Sequence, residues 1–216
     1  MKVALLLLAL AIIVIVCVVL FREGKKNLHE SGDYVYRICI DGTAEIASYK
    51  GKDSIIVIPD TLDGYRVTSL GTNFFHQNSL MSITIPDGVV YIGEQAFRKC
   101  KKHTRIDIPD SVGYIGEAAF EECASLSQVK LPDSLRRISD HMFYRCGRLI
   151  ELAIPDGIVS IGDRAFAFTG LTHINLPGSL IEIGDLAFYN CANLEEIVIP
   201  EGVSSLVMAG MMLVFL

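Results

Sequence analysis

Short alternations of apolar and polar residues recur through the middle of the chain. Ile106 and Ile108 alternate with Arg105 and Asp107, Val129 and Leu131 with Gln128 and Lys130, and Ile174 and Leu176 with His173 and Asn175. A period of two predicts short strands with one face buried. Each alternation ends at a proline, which has no N–H to give to a sheet ladder. A second short extended stretch follows, carried in one unit by Val112 and Ile115. Gly116 then turns the chain, and Glu117 to Cys123 reads as a short helix or 3₁₀ turn.

These elements repeat. The seven prolines fall at 59, 86, 109, 132, 155, 177 and 200, in steps of 27, 23, 23, 23, 22 and 23, and each follows Ile or Leu. Phe recurs at 75, 97, 120, 143, 166 and 188. The glycine four residues before it recurs at 71, 93, 116, 162 and 184, with Ser139 as the exception. A unit of this length cannot bury its own apolar face. Stacked units share one continuous core, and each contacts mainly its neighbours. Phe97, Phe120, Phe143, Phe166 and Phe188, with Cys100, Cys123, Cys146 and Cys191, are the expected repeat core.

The pattern resembles the BspA-type leucine-rich repeats of bacterial surface proteins, over about residues 33–206. Tyr34-Val35-Tyr36, Asp41-Gly42-Thr43 and Tyr49-Lys50-Gly51 are similar to the hairpin that precedes the repeats in that family, and Asp-Gly is a hairpin signal on its own physics. The longer first unit, with Leu62-Asp63-Gly64-Tyr65-Arg66-Val67, resembles the family's first repeat. The resemblance implies a right-handed solenoid outside the cytoplasm, a role in adhesion or ligand binding, and no enzyme chemistry. The expected fold class is an α/β repeat solenoid, mainly β, with short helical or 3₁₀ turns, a β-hairpin cap and an N-terminal transmembrane helix. Its parts are a signal anchor or signal peptide over 1–22, a linker over 23–32, the cap over 33–57, repeats over 58–206 and an apolar tail over 207–216.

Both ends depart from the repeat. Val3 to Phe21 carries no charge, and as a helix it would be roughly 28 Å long, close to a hydrocarbon core. That run exceeds the apolar region of a cleavable signal, and no small-residue cleavage site precedes Arg22, so an anchor is favoured over a cleaved signal. Lys2 on one side and Arg22, Lys25 and Lys26 on the other leave the orientation unassigned. At the other end, Leu206 is followed by Val207-Met208-Ala209-Gly210-Met211-Met212-Leu213-Val214-Phe215-Leu216 instead of a repeat. Three readings stand for this tail: a cover for the open end of the core, a dimer contact, or the product of a truncated reading frame. The last is favoured.

The candidate chemistry is sparse. The cysteine column reads as reduced core thiols, since unpaired Cys is among the most buried residue types. Disulfides or a metal site are the alternative, but equivalent positions in a stack point in parallel and no C-x-x-C clip is present. Cys39 is a candidate free thiol. One acidic column follows the prolines (Asp60, Asp87, Asp110, Asp133, Asp156, Glu201), and a second follows the turn glycine or serine (Glu94, Glu117, Asp140, Asp163, Asp185). Turn formation and capping of free N–H groups account for both better than calcium does. His103 falls where other units have Leu, as a core-edge substitution. Neither a nucleophile elbow nor a phosphate loop is present, and no cofactor is expected.

The net charge of −6 and the pI near 5.4 disfavour nucleic acid as a partner. The candidate binding face is the outward side of the main strands: Arg105, Asp107, Gln128, Lys130, Glu151, His173 and Asn175. Its residues change from unit to unit while the inward ones do not. Tyr91 and Tyr114 are a second candidate patch, with half-buried packing an equal reading. The expected function is a binding module that meets a protein or glycan outside the cytoplasm, held to a membrane through residues 3–21 or secreted after cleavage. An envelope scaffold without a specific ligand is the alternative. The oligomeric state is left open.

Overall fold

The computed structural model describes residues 27–75 and 80–206. The expected membrane segment 3–21 and the tail 207–216 lie outside the described residues. Among the described residues no helix is long and apolar enough to cross a membrane.

The cap is a three-stranded antiparallel meander of β1 (Leu28–Ser31), β2 (Tyr34–Ile38) and β3 (Ala44–Tyr49). It has one strand more than a hairpin, because β1 forms inside the segment expected to be a linker. Gly42, at φ 77°, makes the β2–β3 turn. The Asp41 carboxylate fixes that turn by accepting the Thr43 N–H at 3.0 Å and the Thr43 hydroxyl at 2.7 Å. After β4 (Ile55–Val57) comes a tight hairpin of β5 (Thr61–Leu62) and β6 (Tyr65–Leu70). Its two turn residues, Asp63 and Gly64, both have positive φ, as a type I′ turn requires. Strand β6 runs parallel to β3, so the cap sheet continues directly into the repeat stack and covers its first edge.

From there the chain winds as a mainly β solenoid of about six turns. Along one wall, β4 pairs in parallel with β7 (Ser82–Thr84). Further along it, β9 (Arg105–Asp107) pairs with β11 (Gln128–Lys130), and His173 bridges Glu196. Along a second wall, β6 pairs with β8 (Tyr91–Ile92) and β8 with β10 (Tyr114–Ile115). The same wall continues through β12 (Arg137–Ile138), β13 (Ser160–Ile161), β14 (Glu182–Ile183) and β15 (Ser205–Leu206), all parallel. Serine hydroxyls staple successive coils: Ser111, Ser134 and Ser179 donate to the carbonyls of Val89, Val112 and Ile158, each at 2.6 Å.

The third wall differs from the helical or 3₁₀ turn that the sequence predicts. Among the described residues, no helix forms there. The N–H groups of Ala118, Phe120 and Glu122 donate to Asp140, Met142 and Tyr144 of the next coil, at 2.9, 3.0 and 2.8 Å. Those of Glu121 and Cys123 close turns onto Ala118 and Phe120. An α-helix would send every such donor to the carbonyl four residues earlier. Here alternate donors leave for the neighbouring coil, which forces a left-handed residue at two places per coil, as at Ala118 (φ 54°) and Glu122 (φ 58°), or His141 and Arg145. A non-glycine residue there costs about 1–2 kcal/mol, offset by the ladder it completes.

Two acids of this wall's column cap N–H groups across coils, not at a helix start. Asp140 Oδ1 accepts the N–H of Asp163 at 3.1 Å, and Asp163 Oδ1 that of Asp185 at 2.7 Å. A Cβ on Gly116 would stand 2.5 Å from the Glu94 nitrogen, so the close approach of coils needs glycine there. Ser139, the exception, donates its hydroxyl to the Ile115 carbonyl instead.

Inside, Phe97, Phe120, Phe143, Phe166 and Phe188 form one parallel stack, with successive centroids 5.4, 5.5, 5.6 and 5.3 Å apart. Phe75 leaves that stack and packs on Tyr49 of the cap at 5.9 Å. The four column cysteines are buried free thiols. His103 is fully buried and not at the core edge, and among the described residues neither ring nitrogen makes a well-aligned hydrogen bond.

Candidate functional site

The first wall is built by alternation. In β9 and β11 the central residues turn inward, and Arg105, Asp107, Gln128 and Lys130 stand outward and exposed. Parallel pairing sets Arg105 beside Gln128 and Asp107 beside Lys130. The Arg105 guanidinium donates to Asp107 Oδ2 through Nη2 at 2.9 Å and to Gln128 Oε1 through Nη1 at 3.3 Å. Lys130 Nζ stands 4.0 Å from Asp110 Oδ2. These exposed pairs are worth about 0.2–1 kcal/mol at most. They orient the side chains more than they stabilise the fold.

Four of the seven expected face residues are thus brought together. Three of them, Arg105, Asp107 and Lys130, line a shallow groove of about 470 Å³ with Ser82 and Thr84. His173 and Asn175 line a separate groove of about 360 Å³ with Glu196 and Val198. His173 Nδ1 lies 3.1 Å from the Thr172 hydroxyl. Glu151 is exposed between the two groups. Among the described residues the wall therefore offers a mixed-charge groove and a second, more apolar one instead of one uniform face. Met81, which lines the first groove, escapes sequence reasoning because it sits just before the strand, outside the outward columns.

Tyr91 and Tyr114 lie on the second wall, apart from the grooves. Their rings stack at 5.1 Å with planes 7° apart, and both are half-buried. Burial raises the Tyr114 hydroxyl pKa, and the Glu94 and Glu117 carboxylates add to the rise. Ring stacking takes up the facing surfaces and leaves part of each ring exposed.

Among the described residues, no three His, Cys, Asp or Glu side chains gather to hold a metal ion. Burial pushes the Cys146 thiol up to about 12 and raises that of Cys191, away from the thiolate a nucleophile needs.

Six copies of the BspA type leucine rich repeat region match residues 68–195. The chain belongs to the BspA-type leucine-rich repeat family. It is similar to a leucine rich cell surface protein of Faecalibacterium prausnitzii, at 29% identity and a TM-score of 0.63, over 84% of this chain and 55% of that one. It therefore spans little more than half the length of that relative. It is also similar to the leucine rich repeat protein of T. pallidum, at 30% identity and a TM-score of 0.54, over 77% of this chain and 68% of that one. The pneumococcal vaccine antigen PcpA shares the fold, at 16% identity and a TM-score of 0.50, over 82% of this chain and 71% of that one. No match is found among the curated proteins. This is a family of bacterial cell-surface proteins.

Proposed function

We propose that this BspA-type chain is a cell-surface binding module that meets a protein or glycan through the outward wall of β9, β11 and the following coils. The observation that carries this reading is the contrast between the two sides of one wall. Ile106, Val129 and Ile174 repeat an apolar packing role inward, while Arg105, Gln128 and His173 differ in charge and shape outward. Two grooves with oriented polar groups give such a wall the means to discriminate. The apolar segment 3–21 anchors the module in this reading, with the repeats on the extracytoplasmic side.

The test is saturable binding of the full chain to a glycan array and to fractionated surface proteins, beside an R105A/D107A/Q128A/K130A variant. Wild type is expected to bind at least one component saturably, and the variant at least ten-fold more weakly with an unchanged melting temperature. Equal binding by the two would overturn the choice of wall. Absence of any saturable component favours a structural envelope scaffold.

A further inference from the structure

We propose that the cleft between the cap and β4 is a binding site for an alkylammonium group, supplied by a lysine side chain of a partner protein. This site stands apart from the grooves of the proposed binding wall. The cleft holds about 490 Å³ and is lined by Asp33, Tyr34, Tyr49, Asp53, Ile55 and Val57, among others. Three features of a lysine side chain find a counterpart there: its charge, its polarisable surroundings and its aliphatic stem.

The charge is met by Asp33 and Asp53. Both are exposed, and among the described residues neither has a Lys, Arg or His nitrogen within 4.0 Å. Nearby Lys50 is already paired with Glu30. Asp63, at the same end of the molecule, is satisfied by the hydroxyls of Ser31 and Tyr36, each at 2.8 Å. That leaves two like charges uncompensated at one cleft. Their reach shows in the phenols between them. Burial raises the Tyr34 pKa, with Asp33 and then Asp53 adding to it. Burial, the hydrogen bond to Asp53 and the charges of Asp53 and Asp33 push Tyr49 up to about 12.

The rings are fixed in place before any ligand arrives. Their centroids lie 5.1 Å apart with planes at 51°. Tyr49 donates its hydroxyl to Asp53 Oδ2 at 2.9 Å, and Tyr34 donates to the Val57 carbonyl at 3.2 Å. Gly51 makes the convergence possible. A Cβ there would collide with the Tyr49 ring and hydroxyl and stand 2.8 Å from Asp33 Oδ2. The two rings wall the cleft beside the carboxylates, with Tyr49 backed by Phe75 at 5.9 Å.

The stem is met by Ile55 and Val57, which are 68% and 67% exposed at the start of the first wall. Two adjacent, largely bare aliphatic side chains beside a negative cleft suit a chain of methylenes ending in a cation. A calcium ion is a poorer fit, since it wants six to eight oxygens, and no third acidic, His or Cys side chain joins a metal-holding group among the described residues.

The test is an NMR titration of the full chain in maltoside micelles, whose headgroup carries no ammonium. The probe is Nα-acetyl-lysine methylamide, with its norleucine counterpart as control. The lysine probe is expected to move the ring resonances of Tyr34 and Tyr49 saturably in the millimolar range, and the norleucine probe to leave them in place. D33N/D53N is expected to weaken the response at least five-fold, and R105A/K130A to leave it unchanged. That last result separates this site from the wall. No movement, or equal movement with norleucine, overturns the proposal, and this comparison uses wild-type protein only, so it stands even if the double variant misfolds.

Discussion

The Sγ of Cys146 donates to the carbonyl oxygen of Phe120, one coil earlier, at 3.1 Å. Cys123 does the same to Phe97 at 3.0 Å, and Cys191 to Phe166 at 3.1 Å. The cysteine column is thus a row of weak donors that tie adjacent coils at the place where the third wall closes. Burial raises the pKa of Cys146 to about 12, so the protonated thiol is the folded form. Its stabilising contribution is whole below the ordinary thiol pKa near 9 and is lost as pH rises towards about 12. Timed alkylation of native protein by iodoacetamide, read by mass spectrometry, should modify the half-exposed Cys39 while leaving Cys100, Cys123, Cys146 and Cys191 unmodified until urea is added.

The ring stack predicts a second outcome. Phe143 is fully buried between Phe120 and Phe166. Phe143→Ala should cost about 3–5 kcal/mol, the range for emptying a buried aromatic site. Tyr114→Ala, from a half-buried pair, should cost clearly less. Urea unfolding of both variants ranks them, and a Tyr114 loss equal to that of Phe143 would show that the tyrosine pair is core.

His103 occupies a leucine position, and among the described residues neither ring nitrogen makes a well-aligned hydrogen bond. Burial holds its pKa below 6.5, opposed in part by the Met81 backbone. Folding is therefore weakened as pH falls below 6.5, where the unfolded chain takes up a proton that the folded one resists. His103→Leu should raise stability by about 1–3 kcal/mol, the cost of an unsatisfied buried polar group, and flatten that acid limb. Thermal melts at pH 5 and 8 check both points.

Glu45 is a buried carboxylate of the cap, next to the first repeat strand through its pairing with Ser69. Burial raises its pKa to about 7, with Arg37 pulling the other way. The Arg37 Nε lies 3.1 Å from Glu45 Oε1 yet forms no well-aligned hydrogen bond. The protonated carboxyl is the form that folding favours, so stability declines as pH rises from about 4.5 to about 7. Glu45→Gln should remove that decline, which hydrogen exchange of the β2 and β3 amides at pH 5.5 and 8 would register.

Much of this architecture is legible in the sequence because inward positions are constrained by packing. The prolines, the phenylalanine column and the alternation around Ile106 and Val129 mark coils, core and wall directly. The third wall is not legible. Its left-handed positions carry Gln95, Lys99, Ala118 and Glu122, residues with no preference for that geometry, and only bonds to the next coil impose it. Strand β1 is hidden because Leu28-His29-Glu30-Ser31 lacks apolar alternation and is held by pairing with β2. The face residues are legible singly, but the side-chain bonds that join Arg105 to Asp107 and Gln128 are not. The cap cleft joins Asp33 and Tyr34 to Tyr49, Asp53 and Ile55, and no spacing rule announces that meeting.

The most direct test of the binding wall places a photo-crosslinking residue at one position at a time in living cells. At Gln128 and at His173 the account predicts an adduct of discrete, reproducible mass. At Arg145, on the third wall, it predicts none. Adducts at Arg145 alone, or indistinguishable adducts at all three positions, would contradict it.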